Sequence, residues 1–261
     1  MHFFPHGWKR KAERSWNGFE HPSLLPFTHT PGTTWAPMQD IAAFFDMDHT
    51  ITWENSGLSS VRFARRHGLI PLSHVLKSIF KIALYRFSLL DIEQWYEKNM
   101  GMLSGVTLDE IGHFSDLWFH AMIRKTIYEE AALLIRDHVA RGHRLVIISN
   151  SPPFFVLPMA RTLDITDVLC TQVEVMDGKL TGKIIKPLCY GKGKLTYARS
   201  WAQEHGIDLL KSYFYTDSFF DIDLMQAVGH PVATNPDMKL RKAAQKNSWP
   251  IMSFSRRAAF E

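Results

Sequence analysis

Three short apolar runs, at residues 41–45, 144–149 and 212–216, each end in a cluster of polar side chains. The first leads into Asp46-Met47-Asp48-His49-Thr50, the second ends on Ser149-Asn150, and the third leads into Asp217-Ser218-Phe219-Phe220-Asp221. Runs that are apolar at consecutive positions suit strands covered on both faces, as in a parallel sheet flanked by helices. The polar clusters would then stand at strand ends, where ligands gather in open α/β sheets. The pattern predicts an α/β fold built on a Rossmann-like parallel sheet core.

The connections fit that reading. Ser56 is placed to cap a helix over 56–66, stopped by Gly68 and Pro71, and further helices are expected over 75–90 and 108–124. No strand pattern occurs between Asp48 and Arg144, too long an interval for a simple crossover, so a helical subdomain is expected there. Thr126 and Glu129 have the spacing of a capping box, opening a helix that ends at Gly142 and turns Ile127, Leu134, Ile135 and Val139 to the sheet. Asp177-Gly178, between strand patterns at 173–175 and 180–184, signals a hairpin. Helices at 196–205 and 222–228 alternate with strands at 212–216 and 231–234. Asn235 and Pro236 are placed as N-cap and N1 of another helix, and 249–254 as the last strand.

Composition narrows the partners. The chain has 261 residues, a formal charge of +4 and 46% apolar residues, which is ordinary for a globular protein and mildly favourable to anionic ligands. It carries no RNP-like run, zinc-finger spacing or strongly basic helix, which argues against nucleic acid as a partner. Cys170 and Cys189 form neither a disulfide framework nor a CxxC pair, as expected of reduced thiols in a cytoplasmic protein. No apolar stretch approaches the roughly 20 residues that span a bilayer. Residues 1–37, rich in Pro, His, Trp and Phe with Lys9, Arg10, Lys11 and Arg14, read as a flexible extension, with Met38 an alternative start.

The strand-end residues suit phosphoryl chemistry. An aspartate such as Asp46 can attack phosphorus, and a second carboxyl, Asp48, can protonate the leaving oxygen and later take a proton from water. Thr50 adds a hydroxyl where the loop turns. Asp217 and Asp221 would join the first pair, and four clustered carboxylates call for a cation, with Mg2+ the natural choice beside a phosphate. Ser149 and the amide of Asn150 can bond a phosphoryl oxygen. Lys194 lies in Cys189-Tyr190-Gly191-Lys192-Gly193-Lys194, whose glycines would let the backbone approach an anion closely. Each group also has an ordinary reading: loop acids, carboxylates at a helix N-terminus, a serine cap, a solvated basic turn.

Taken in order, Asp46-x-Asp48-x-Thr50, Ser149, Lys194 and Asp217-x-x-x-Asp221 resemble motifs I to IV of the haloacid dehalogenase superfamily, over about Met38 to Phe254. The helical insert after motif I is similar to the C1 cap of subfamily IB, the phosphoserine-phosphatase-like group. The resemblance implies an α/β core at 38–54 and 126–261, a cap at 55–125, and a Mg2+-dependent phosphatase for a small phosphate monoester. It implies Asp46 as phosphorylated nucleophile and Asp48 as general acid/base. Thr50, Ser149, Asn150 and Lys194 would hold the phosphate, with Lys192 the rival of Lys194. Asp46, Asp217 and the main-chain carbonyl of Asp48 would bind the metal, Asp221 supporting it directly or through water.

Two positions depart from the family pattern. Phe220 stands where many members have Asn, and Asn55, with Glu54 beside it, stands where phosphoserine phosphatases place a substrate-reading Glu; both argue against phosphoserine. Alternatives are a head-group phosphatase at a membrane surface, drawn there by a basic stripe of His74, Lys77 and Lys81, a phosphotransferase or mutase, and a non-catalytic phosphate-binding protein. The oligomeric state is not encoded in any recognisable pattern.

Overall fold

A computed structural model describes residues 40–70 and 92–256. The N-terminal extension, the expected helix at 75–90 and the stripe of His74, Lys77 and Lys81 lie outside the described residues. In chain order the elements are β1 (Ala42–Phe45), α1 (Ser56–Arg66), α2 (Ile92–Gly101), α3 (Leu108–Trp118), α4 (Glu129–Ala140), β2 (Arg144–Ser149), α5 (Pro153–Thr162), β3 (Asp167–Cys170), β4 (Val173–Met176) and β5 (Lys179–Ile184). They continue with α6 (Lys192–His205), β6 (Tyr213–Thr216), α7 (Ile222–Ala227), β7 (His230–Thr234), α8 (Met238–Lys246) and β8 (Ile251–Met252).

Six strands form one parallel sheet in the order β3-β2-β1-β6-β7-β8, and β4 and β5 form a separate antiparallel hairpin. From β1 the chain builds outward through β2 and β3 on one side, then returns to build β6, β7 and β8 on the other. The crevice between β1 and β6 is therefore the switch point, where a ligand site is expected.

Strand periodicity explains why β1 is apolar throughout. Ala43 and Phe45 point into one core with Phe63, Phe114, Trp118, Ile127 and Ile135. Ala42 and Phe44 point into the other with Ala198, Trp201, Leu224 and Leu240. Burying each of the larger side chains contributes about 1.5–3 kcal/mol, so the sheet is held from both faces.

Several helix starts differ from the sequence expectation. The N-cap of α1 is Asn55, whose side chain accepts from the Leu58 N–H, so Ser56 stands at the first helical position and its hydroxyl is committed elsewhere. The expected capping box at Thr126 and Glu129 does not form: Tyr128 precedes α4, and the Thr126 hydroxyl bonds the Ile123 carbonyl and the Thr52 hydroxyl. In α4, Ile135 is buried while Leu134 and Val139 are only partly so; Ile127 is buried ahead of the helix. The capping box is instead Thr107 with Glu110, opening α3. That helix ends at Trp118 and passes through a π turn (Phe119–Ile123) and a 3-10 turn (Arg124–Thr126) before α4.

Asp237, not Asn235, caps α8; Asn235 adopts a left-handed φ of 45° and clasps Phe254 through both ends of its amide. Helix α6 begins at Lys192, four residues before the expected start, after a turn at Gly191 with φ 53°. Helices α2 and α5 and strand β3 were not anticipated.

The β4–β5 hairpin ties the core to the segment between β1 and β2. Gly105 N–H donates to the Leu180 carbonyl, Leu180 N–H to Val106, and Leu108 N–H to Gly178, at 2.8, 2.8 and 3.0 Å. A Cβ on Gly182 would lie 2.9 Å from the Gly101 Cα, so the hairpin and the end of α2 are in backbone contact.

A buried histidine sits beneath the sheet. His138 of α4 bonds the Tyr215 hydroxyl at 2.8 Å through Nε2 and His143 at 2.8 Å through Nδ1, with its ring edge-on to Phe45. Burial, then the charges of His143 and Arg141, pushes His138 down from 6.5 to about 4. The unfolded imidazole takes a proton below pH 6.5 while the folded one resists to about pH 4, so this contribution to stability is complete above 6.5 and is lost as the pH falls through that window. Urea denaturation should lose about 3 kcal/mol across it from this site, and His138→Gln should remove that part of the slope even if it lowers stability overall.

Candidate active site

The acidic loop after β1 is pinned at both ends. Asp46 N–H donates to the Tyr215 carbonyl at 3.0 Å, extending the β1–β6 pairing to the strand end. Ile51 and Thr52 both donate to the Met47 carbonyl, at 3.0 and 3.1 Å, and His49 takes a left-handed φ of 59°, closing the turn that carries Asp48. Ser149 ends β2, and Thr216 ends β6 just before Asp217.

Lys194 is brought to the strand ends by a close backbone approach. A Cβ on Gly193 would lie 1.8 Å from the Leu188 carbonyl oxygen, so only glycine lets the first turn of α6 press against that loop. The close approach predicted for these glycines exists, but at Gly193 it is to a neighbouring carbonyl. Lys194, 3% exposed, donates to Asp46 Oδ1 at 2.7 Å and to Asp221 Oδ2 at 2.8 Å. The Thr216 hydroxyl donates to the same Asp221 oxygen at 2.7 Å. Burial works against the ammonium, but Asp221 and Asp46 outweigh it and hold Lys194 charged.

The other sequence-predicted residues divide. Asp48 stands half-buried next to this group, and its Oδ2 accepts from the Ser56 hydroxyl at 2.8 Å, the Ser56 N–H at 3.0 Å and the Asn55 amide at 3.2 Å. Its Oδ1 is buried and meets no hydrogen-bond partner among the described residues, and the same holds for the hydroxyl of Thr50. Ser149 Oγ accepts the Ser151 N–H at 3.2 Å. The side chain of Asn150 does not face the acidic group: its Oδ1 accepts from Thr171, and its carbonyl accepts from the hydroxyl of buried Tyr96 on α2. Thr171 in turn accepts the Cys189 N–H at 3.0 Å, linking the Ser149 loop to the loop that leads to Lys194. Glu54 pairs with Arg62, and Phe220 packs on Tyr190.

Ser56, Tyr96 and Thr171 carry no sequence signal as site residues because, singly, they look like a cap, a core aromatic and a loop hydroxyl. Asp237, directly after the Asn235-Pro236 pair, is a further residue of the site that the sequence does not announce. It accepts the Phe219 and Leu240 amides and donates its own N–H to the Asp217 carbonyl, so it shapes the Asp217–Asp221 loop.

The electrostatics of the acidic group suit a cation. Burial pushes Asp46 up to about 7, with Asp221 and Asp48 adding to the rise against Lys194. Asp217 is raised well above the carboxylate range by burial, then by Asp46 and Asp221. Lys194 is already shared by Asp46 and Asp221, and among the described residues no other ammonium pairs with Asp217. Two hard oxygen ligands on Asp46 and Asp217, with anionic charge left over, fit a divalent ion such as Mg2+. Among the described residues no three His, Cys, Asp or Glu side chains form a metal cluster, so main-chain oxygen and water would complete the coordination. Asp221 has one oxygen committed to Lys194 and Thr216.

Gly193→Ala should destabilise the protein by about 3 kcal/mol in urea denaturation, because the new methyl group meets a backbone carbonyl that cannot rotate away.

Comparison with known proteins bears on the same residues. The sequence profile of the family described as haloacid dehalogenase-like hydrolase matches residues 43–226. A probable phosphatase of Mycobacterium tuberculosis is 36% identical over 230 residues, 87% of this chain and 79% of that protein. A histidinol-phosphatase of Neisseria meningitidis is 29% identical over 217 residues, 81% of this chain and 98% of that one. Among solved structures, a protein of unknown function from Bordetella pertussis superposes with a TM-score of 0.75 at 27% identity, covering 83% of this chain and 99% of that one.

Proposed function

The chain belongs to the haloacid dehalogenase-like hydrolases and is a phosphatase, and we propose that it hydrolyses a small phosphate monoester through a phosphorylated Asp46. The observation that carries this reading is the buried pairing of Asp46 with Lys194 at the β1–β6 switch point, with Asp48 held two residues away. Lys194 fixes one oxygen of Asp46, leaving the other for attack on phosphorus.

In the first step an Asp46 oxygen bonds to phosphorus, the ester P–O bond breaks, and the proton on Asp48 passes to the departing oxygen to give the free alcohol. In the second, water attacks the same phosphorus, its proton returns to Asp48, and the bond to Asp46 breaks to release inorganic phosphate. Ser149, Lys194, the Thr50 hydroxyl and the amide of Asn150 would hold the phosphoryl oxygens. Asp46, Asp217 and the Asp48 carbonyl would hold Mg2+, and Asp221 would serve that site through water while anchoring Lys194. When bound, the ion neutralises negative charge on the phosphoryl group. Residues 55–125 would act as a cap over this site, braced by the β4–β5 hairpin.

For the substrate, the Glu54–Arg62 pair and the committed Asn55 argue against an ammonium read as phosphoserine phosphatases read theirs. The name of the Neisseria relative makes histidinol phosphate the first compound to try, beside phosphoserine and phosphoethanolamine. Asp46→Asn should abolish p-nitrophenyl phosphate turnover measured with Mg2+ present, and chelation should silence the parent until Mg2+ is restored. Turnover persisting in Asp46→Asn would remove the aspartyl-phosphate assignment.

A further inference from the structure

Asp48 is bound asymmetrically. Three donors converge on Oδ2: the Ser56 hydroxyl, the Ser56 main-chain N–H and the Asn55 amide, at 2.8, 3.0 and 3.2 Å. None reaches Oδ1, which is buried. Ser56 is itself 0% exposed, and its oxygen lies 2.7 Å from the Ser151 hydroxyl. With the Ser56 hydrogen directed at Asp48, the Ser151 hydroxyl donates to Ser56, so one chain of hydrogen bonds runs Ser151 to Ser56 to Asp48. An oxygen that accepts three hydrogens has no room for a proton of its own, which leaves the proton of a neutral Asp48 on Oδ1.

Both ends of Asn55 are also committed, Oδ1 to the Leu58 N–H and Nδ2 to Asp48. The start of α1 is therefore built around the carboxyl group, with Asn55 held in place from both ends of its amide.

We infer that Ser56, locked by Ser151 and assisted by Asn55, is a positioning residue for Asp48: it fixes Oδ1 as the oxygen that protonates the leaving group and steadies the carboxylate that remains. This deepens the proposed hydrolysis and rests on it. As the ester P–O bond breaks, the proton leaves Oδ1 for the alcohol oxygen and the new negative charge spreads to Oδ2, where three donors already point. Their contribution grows in the transition state, and it grows most when the leaving oxygen most needs a proton. An alkyl phosphate needs the proton fully; p-nitrophenyl phosphate, whose phenolate departs readily, needs it little.

The leaving group therefore tests the assignment. Ser56→Ala, assayed as purified full-length protein with Mg2+, should lose at least about tenfold more kcat on an alkyl phosphate such as phosphoethanolamine, or whichever alkyl ester the parent turns over best, than on p-nitrophenyl phosphate. The N-cap hydrogen bond of Asn55 survives this substitution. Ser151→Ala, which meets Asp48 only through Ser56, should shift the same ratio in the same direction by less, and it decides the matter if Ser56→Ala does not fold. Equal losses on both substrates would mark Ser56 as merely structural, and no loss on either would overturn the inference. Either result, with Asp46→Asn inactive, leaves the aspartyl-phosphate reading intact; an active Asp46→Asn would bring down that reading itself.

Discussion

A single buried ammonium holds the strand ends together. Lys194 reaches across from the first turn of α6 to carboxylates that stand in the loops after β1 and after β6. Burying ions is costly unless they are paired and hydrogen-bonded, and removing one partner leaves the others exposed to the full penalty. Much of the local architecture serves that pairing. Gly193 admits the helix, Gly191 turns the chain into it, and Thr216 occupies the remaining side of the shared Asp221 oxygen. The carboxylates still outnumber the ammonium, and this surplus is what makes the crevice receptive to a metal ion.

Around that pair the polar loops brace one another. Tyr96 of α2 bonds the Asn150 carbonyl, Thr171 bonds the Asn150 side chain, and Cys189 bonds Thr171. The helical segment, the end of β2, the end of β3 and the approach to Lys194 thus share one buried network. Such networks act cooperatively because each bond orients the next group. Asp237 does the same on the opposite side, gathering the amides that define the Asp217–Asp221 loop.

The sheet was legible wherever a run was apolar enough to be unambiguous. β1, β2, β6 and β7 fall where consecutive buried residues announced them, and the strand-end acids followed. β3 hid because it is four residues long and begins with Asp167, and α5 because Pro152, Pro153 and Pro158 look like breakers. Pro153 in fact opens that helix, a position where its missing N–H costs nothing. Cap assignments slipped by one or two residues at Ser56 and Asn235, since each has a neighbour of equal capping chemistry and only three-dimensional competition decides between them. At Ser56 that competitor was Asp48. Lys194, Asp46 and Asp221 were each legible through the motif pattern; that Lys194 bridges the two carboxylates, and that Gly193 meets the Leu188 carbonyl, was not, because those contacts depend on how the segments fold together.

The opposite end of the two central strands is organised as well. Asp40, just ahead of β1, accepts the Asp208 N–H at 2.7 Å through its carbonyl and pairs with Lys211 through its carboxylate. This fastens the entry of β1 beside the entry of β6. With four residues in β1, the length of the strand alone, about 13 Å, lies between the fastening point and the acidic loop. A surface linkage made at the Asp40–Lys211 corner itself therefore grips the molecule at the end away from the crevice, and protein immobilised there should present its crevice outward.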